Sequence, residues 1–226
     1  MRTLIPDACM PSLLLWDWNG TLLDDVGASL AAVNDMLAGR GCGGIGLESY
    51  RAAIGVPIRR FYDVHFDMAR EDYPSLLREY GEGYMRHLPE CALAEGATEL
   101  LERLRSEGVS QVILSSGEQR NVERSLEVYG VTQYFDAVLG ASDYLAGSKL
   151  ERAREYLQAQ KIPPAEVLTT GDLVHDYEVA RELGTRCVLS GWGHQGPEQF
   201  KGLGVRVVSS LEELFMSPTG LHTLSS

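Results

Sequence analysis

Short, wholly apolar runs recur along the chain, and between them apolar positions fall at helical spacing. Leu13-Leu14-Leu15-Trp16, Val112-Ile113-Leu114, Ala137-Val138-Leu139, Val167-Leu168, Cys187-Val188-Leu189 and Val205 to Val208 each read as a buried strand. Ala97, Leu100, Leu101 and Leu104 share one helix face, closed by Gly108; Val122, Leu126 and Tyr129 do so before Gly130, and Tyr177, Ala180 and Leu183 before Gly184. Strand and helix in alternation predict an α/β fold: a Rossmann-like, doubly wound parallel sheet covered on both faces, with its ligand crevice at the carboxyl ends of the strands.

The stretch 24–91 breaks this rhythm. Val26, Leu30, Val33 and Leu37 mark a helix ending at Gly39, a glycine-rich loop follows through Gly44, and helical material continues to Leu88 with no convincing strand. The pattern predicts an all-helical domain over 24–91, inserted into a core made of 1–23 and 92–226.

Composition narrows the classes. Net charge is −12, with no basic tract, which speaks against nucleic acid and anionic membranes as partners. The longest apolar run near the N-terminus, Leu13 to Trp16, is too short to span a bilayer or serve as a secretory core, so a cytoplasmic location is expected. Cys9, Cys42, Cys91 and Cys187 form no CxxC pair, and the histidines (His65, His87, His175, His194, His222) no ligand-spaced pair; a zinc site and a disulfide framework are both disfavoured.

Candidate chemistry clusters at strand ends. Asp17-Trp18-Asn19-Gly20-Thr21 follows the first strand directly. Asn-Gly also signals a hairpin, but Leu22-Leu23-Asp24-Asp25 leads into an amphipathic helix with a carboxylate near its cap rather than into a second strand. Gly171-Asp172-Leu173-Val174-His175-Asp176 follows the strand at Val167; there Asp172 reads equally as a helix cap, and Asp176 suits the positive end of the helix dipole. Two carboxylates there, near a third at Asp17, repel one another unless a cation lies between them, and oxygen ligands suit magnesium. Ser115 ends a strand where its hydroxyl and neighbouring N–H groups can hold a phosphate oxygen, while Ser116 and Gln119 are spaced as a capping box. Lys149, one of three lysines, opens a helix carrying Leu150, Ala153 and Leu157; a cation in a first turn opposes the dipole and calls for an anion, unless it is simply a solvated surface lysine.

These four segments, in this order and at strand ends, resemble the haloacid dehalogenase-like hydrolase superfamily from about Leu13 to Leu214, and the helical insert resembles the small cap of its phosphoglycolate-phosphatase-like members. The resemblance implies a phosphatase acting on a small phosphomonoester, a phosphoglycolate-like metabolite, through an aspartyl-phosphate on Asp17. It implies magnesium held by Asp17, Asp172 or Asp176 and the backbone carbonyl of Asn19. Thr21, Ser115, Ser116, Gly117 and Lys149 would hold the phosphate. One position departs from the pattern: phosphatases of this family usually carry a second Asp two residues after the nucleophile as acid/base, and here that residue is Asn19, which cannot shuttle a proton. The departure leaves open a stand-in such as His175, a good leaving group such as an acyl phosphate, or a slow or impaired relative that binds a phosphorylated ligand or a partner. Sister chemistries fit less well: the insert has no lysine for a Schiff base, dehalogenases need no metal, and phosphomutases rely on the second Asp. Substrate choice belongs to the insert, where Arg51, Arg59 and Arg60 are candidates to meet an anionic substituent or form a solvated helix face. Gly191-Trp192-Gly193-His194 follows a strand and borders the expected site.

Overall fold

A computed structural model describes residues 10–141 and 148–215. In chain order the elements are β1 (Leu13–Trp16), β2 (Leu23–Asp24), α1 (Val26–Gly39), α2 (Leu47–Ala53), α3 (Arg59–His65), α4 (Tyr73–His87), β3 (Ala92–Leu93), α5 (Ala97–Ser106), β4 (Ser110–Glu118) and α6 (Gln119–Val128). Then come β5 (Ala137–Ala141), α7 (Lys149–Gln160), β6 (Val167–Gly171), α8 (Val174–Leu183), β7 (Arg186–Ser190) and β8 (Arg206–Val208). Six strands form one parallel sheet in the order β5-β4-β1-β6-β7-β8. From β1 the chain builds β4 and β5 to one side and then crosses to build β6, β7 and β8 on the other. The order therefore reverses at β1, and the crevice lies at the carboxyl ends of β1, β4 and β6.

β1 is wholly buried because it is central. Its side chains alternate: Leu14 and Trp16 pack with Leu101, Leu104 and Leu126 on one face, and Leu13 and Leu15 with Ala153, Leu157 and Val179 on the other. The polar groups of Trp16 and Gln111 that this packing buries are satisfied. Trp16 Nε1 donates to Gln111 Oε1 (3.1 Å), and Gln111 Nε2 donates to the Leu101 carbonyl (2.9 Å). Helices α1–α4 hold an apolar cluster of their own, including Val33, Met36, Tyr50, Phe61, Tyr62 and Leu76.

Two local expectations are corrected. Leu23 and Asp24 do not lead straight into α1 but form β2, which pairs antiparallel with β3 as a two-residue ribbon where the chain leaves and re-enters the sheet region. Ser116 and Gln119 form no capping box. β4 continues through Ser116 to Glu118, which pairs with Ala141 beyond a register shift. α6 begins only at Gln119, whose side chain accepts from Gly140 N (2.6 Å) and donates to the Val138 carbonyl (3.0 Å), tying the helix to β5. Among the described residues no helix is long and apolar enough to cross a membrane.

Candidate active site

Parallel pairing sets the site. Trp16 lies in register with Ile113 on β4 and Thr170 on β6, so Asp17, Ser115 and Asp172 leave three adjacent strands at one rim. Lys149, at the start of α7, is buried there, and its Nζ lies 2.6 Å from both Asp17 Oδ1 and Asp176 Oδ1. The anion its helix position calls for is thus a pair of carboxylates. These carboxylates hold its proton against burial, which alone would strip it. Asp176, in the first turn of α8, accepts from the backbone N–H groups of Asp172 (3.1 Å) and Leu173 (3.0 Å). Asp172 is not a cap: its Oδ2 accepts from His194 N at 2.6 Å, across the sheet rim from the loop after β7.

Asp17, Asp172 and Asp176 are all buried, with carboxylate oxygens within 4.8 Å of one another. Burial, partly offset by Lys149, raises the Asp17 carboxyl to about 6. Burial also pushes Asp172 well above the usual range, with the neighbouring acids adding to it. Oδ1 of Asp172 has no hydrogen-bond partner. Lys149 thus pairs with two of the three acids, and an oxygen of the third, Asp172 Oδ1, is orphaned; an all-oxygen donor set of this kind fits a small hard dication such as magnesium, which would also offset the acidic charge.

Glycines make the packing possible. A Cβ on Gly20 would sit 2.1 Å from Asp172 Oδ2, one on Gly171 2.2 Å from Asp176 Cγ, and one on Gly193 2.3 Å from Asp172 Cβ. Gly20 also turns at φ +70°, which closes the loop after Asp17 onto the Trp18 carbonyl. The Gly191–His194 loop therefore has a physical role: Gly193 permits the approach, and the next N–H grips Asp172.

Ser115 is buried, with Oγ accepting from Gly117 N (3.0 Å) and its carbonyl accepting from Arg152 (2.7 Å). Thr21 Oγ1 is buried without a partner. Asn19 points away from the three acids. Its Nδ2 donates to Asp25 Oδ2 (2.7 Å) and to the Tyr84 hydroxyl (3.0 Å). Asp25 precedes α1 but does not cap it; the carboxylate also accepts from Gly20 N (2.8 Å) and Tyr84 (2.7 Å) and faces His194 Nε2 at 3.3 Å. Burial works to raise the Asp25 carboxyl, yet His194, Asn19 and Tyr84 together hold it below the ordinary value. The converse holds for His194: burial opposes its charge, and Asp25 lifts it to about 9. Asp25 and Tyr84 were not among the candidate site residues read from the sequence, and His194 was read only as part of the loop expected to border the site.

Other candidates lie elsewhere. Arg59 is exposed, pairs with Asp63 (2.8 Å) and stacks on Tyr73; Arg60 is exposed as well. Arg51 donates to the carbonyls of Trp192 (2.6 Å) and Gly193 (3.1 Å), tying α2 to the loop after β7. His175 faces Glu178 at 3.6 Å on the outer side of α8 and does not line the cavity beside Asn19.

The family model of the haloacid dehalogenase-like hydrolases matches residues 14–190. The chain belongs to that family. It is an enzyme of the phosphoric monoester hydrolase type. It is 29% identical over 196 residues to a phosphoglycolate phosphatase of Pseudomonas savastanoi pv. phaseolicola, covering 82% of this chain and 71% of that one. It is 28% identical over 194 residues to phosphoglycolate phosphatase 1 of Pseudomonas aeruginosa, with the same coverage. A haloacid dehalogenase-like hydrolase from Streptococcus pneumoniae superposes with a TM-score of 0.79 over 91% of this chain and 96% of that one; at 18% identity it speaks for the fold alone.

Proposed function

We propose that this hydrolase is a magnesium-dependent phosphatase of a small phosphomonoester, with Asp17 as nucleophile and residues 24–91 as the cap over the site. The supporting observation is the buried trio Asp17, Asp172 and Asp176, of which Lys149 pairs with two while Asp172 Oδ1 has no hydrogen-bond partner. In this reading Asp17, Asp172, Asp176 and the Asn19 carbonyl would hold the dication, which would supply neutralising charge for the transferring phosphoryl group.

The chain's own groups do the rest. Lys149 fixes one oxygen of Asp17 and leaves the carboxylate to attack phosphorus in line. The bond to the leaving oxygen breaks as the aspartyl-phosphate forms, and water then cleaves that acyl phosphate to regenerate Asp17. Ser115, the Ser116 and Gly117 backbone, Thr21 and Lys149 hold the phosphoryl oxygens; the unpartnered Thr21 hydroxyl suits this task. The relatives named phosphoglycolate phosphatase support a small phosphorylated metabolite as substrate.

Asn19 favours a second reading, a slow or silent relative that binds a phosphorylated ligand, because its amide is committed to Asp25 and Tyr84. Phosphate release across a panel of phosphomonoesters, with and without magnesium, separates the two. The phosphatase reading predicts turnover that needs magnesium and falls at least about a thousandfold in Asp17→Asn. Absence of turnover in the parent, with ligand binding retained, would select the second reading. Asn19→Asp adds a discriminating arm. It sets a second carboxylate 2.7 Å from Asp25, so any gain in rate is expected to come with a lower melting temperature.

A further inference from the structure

A cavity of about 740 Å³ opens between the α1–α4 helices and the sheet rim. Asn19, two residues after Asp17, and Ser116 and Gly117, which follow Ser115, are part of its lining. Aromatic residues also line it: half-buried Tyr80, Tyr84 and Tyr129, backed by the buried rings of Trp18, Tyr50 and Phe61. Its volume falls in the roughly 300–1,000 Å³ range that encloses drug-sized ligands. A two-carbon acid leaves most of it filled with water.

The buried part of the lining offers no free cation for an anionic substituent among the described residues. Arg51, Arg59 and Arg60 do not line it, His194 lines it but faces Asp25 at 3.3 Å, Arg124 lines it from an exposed position, and Asp25 and Glu118 present negative charge. The mouth is apolar instead. Ile58, Met85 and Val128 are 37%, 52% and 72% exposed, large apolar side chains facing water at the entrance. Isolated exposed apolar residues need no explanation, but three at the opening of an aromatic cavity do.

A second, independent feature is Asn19. With no proton donor at that position, a leaving group that departs readily as an anion is favoured. A phenol, with a pKa near 10 as in tyrosine, needs far less acid assistance than an alkyl alcohol.

We propose that the substrate is a phosphomonoester of an aromatic, phenol-type alcohol whose ring system fills this cavity. The proposal rests on the phosphatase reading of Asp17 and names the substrate class for that site. The P–O bond to the phenol breaks as Asp17 bonds phosphorus, and the phenolate takes its proton from water. A second water then releases inorganic phosphate, so the sum is ester plus water giving phenol plus phosphate.

The test compares 2-naphthyl phosphate, phenyl phosphate, cyclohexyl phosphate and 2-phosphoglycolate with magnesium present. Naphthol and phenol are similar as leaving groups, so their ratio reports the cavity; phenyl against cyclohexyl reports leaving-group demand. The expected order of kcat/KM is naphthyl, phenyl, cyclohexyl, with naphthyl at least about tenfold above phenyl from the extra ring carbons buried. Preference for 2-phosphoglycolate, or equal rates for naphthyl and phenyl, would overturn the proposal while leaving the phosphatase reading intact. Calorimetric binding of 2-naphthylphosphonate against methylphosphonate decides the cavity without turnover. At least tenfold tighter binding of the naphthyl compound supports it, and equal affinities reject it even if no ester is hydrolysed. Met85→Asp and Val128→Asp are expected to shrink the naphthyl advantage, whereas Val64→Asp, exposed and away from the cavity, is expected to leave it unchanged; equal effects of all three would contradict the assignment.

Discussion

Lys149 carries two carboxylates on one ammonium, each at 2.6 Å, with 5% of its side chain exposed. Removing one partner of such a buried set costs about 3–5 kcal/mol, because the others are left charged and unpaired. Lys149→Met is therefore expected to lower thermal stability by that order in magnesium-free buffer, and magnesium is expected to restore part of the loss by taking over the carboxylates. A melting curve insensitive to the substitution would contradict the pairing. Asp17, Lys149, Asp172 and Asp176 were legible in the sequence because each stands at a strand end or a helix start, where direction is fixed by the element. Asp25 and Tyr84 were not, and His194 was legible only as part of a loop bordering the site, without its role. Asp25 reads as an ordinary helix cap, but Gly20 N, Asn19, Tyr84 and His194 outcompete the helix for its oxygens. His194 sits in a loop without periodicity, and its partners at positions 25, 50 and 172 are distant in the chain.

At the scale of elements, strand and helix periodicity located the six sheet strands to within a few residues. It did not reveal the β2–β3 ribbon, since two residues per strand carry no period, or the extension of β4 past Ser116, which depends on pairing with Ala141. One edge attachment is open to direct test. Asp136, just before β5, accepts from Ser110 Oγ (2.5 Å), Gln111 N (3.2 Å) and Arg105 (3.2 Å). Partial burial works to raise its carboxyl, but these donors hold it below the ordinary value. A depressed folded-state pKa means that the contribution to stability is complete above the unfolded value, near 4, and lost as pH falls through the folded one. Asp136→Asn should therefore melt below the parent at pH 7, with the gap closing as pH drops below about 4. A gap of constant size down to pH 3 would show that the charge is not what holds the edge.

For the whole molecule, helices α1–α4 meet the sheet side through the Asn19–Tyr84 bond and through a set of polar ties that converge on the loop after β7. Arg51 reaches the Trp192 and Gly193 carbonyls, Gln195 Nε2 donates to the Ile54 carbonyl (2.8 Å), and Tyr50 lies 2.9 Å from His194 Nδ1. The same loop grips Asp172 through His194 N, so the insert and the acidic trio share one anchor. The proposed phosphatase chemistry depends on the three buried acids, Asp17, Asp172 and Asp176, being able to share a single dication. Thermal melting with and without magnesium, for the parent and for Asp172→Asn, tests that most directly. Magnesium at a hundred times its dissociation constant is expected to stabilise the parent by about 2.7 kcal/mol and to leave the variant nearly unmoved. Identical melting temperatures for the parent with and without the ion would contradict the account.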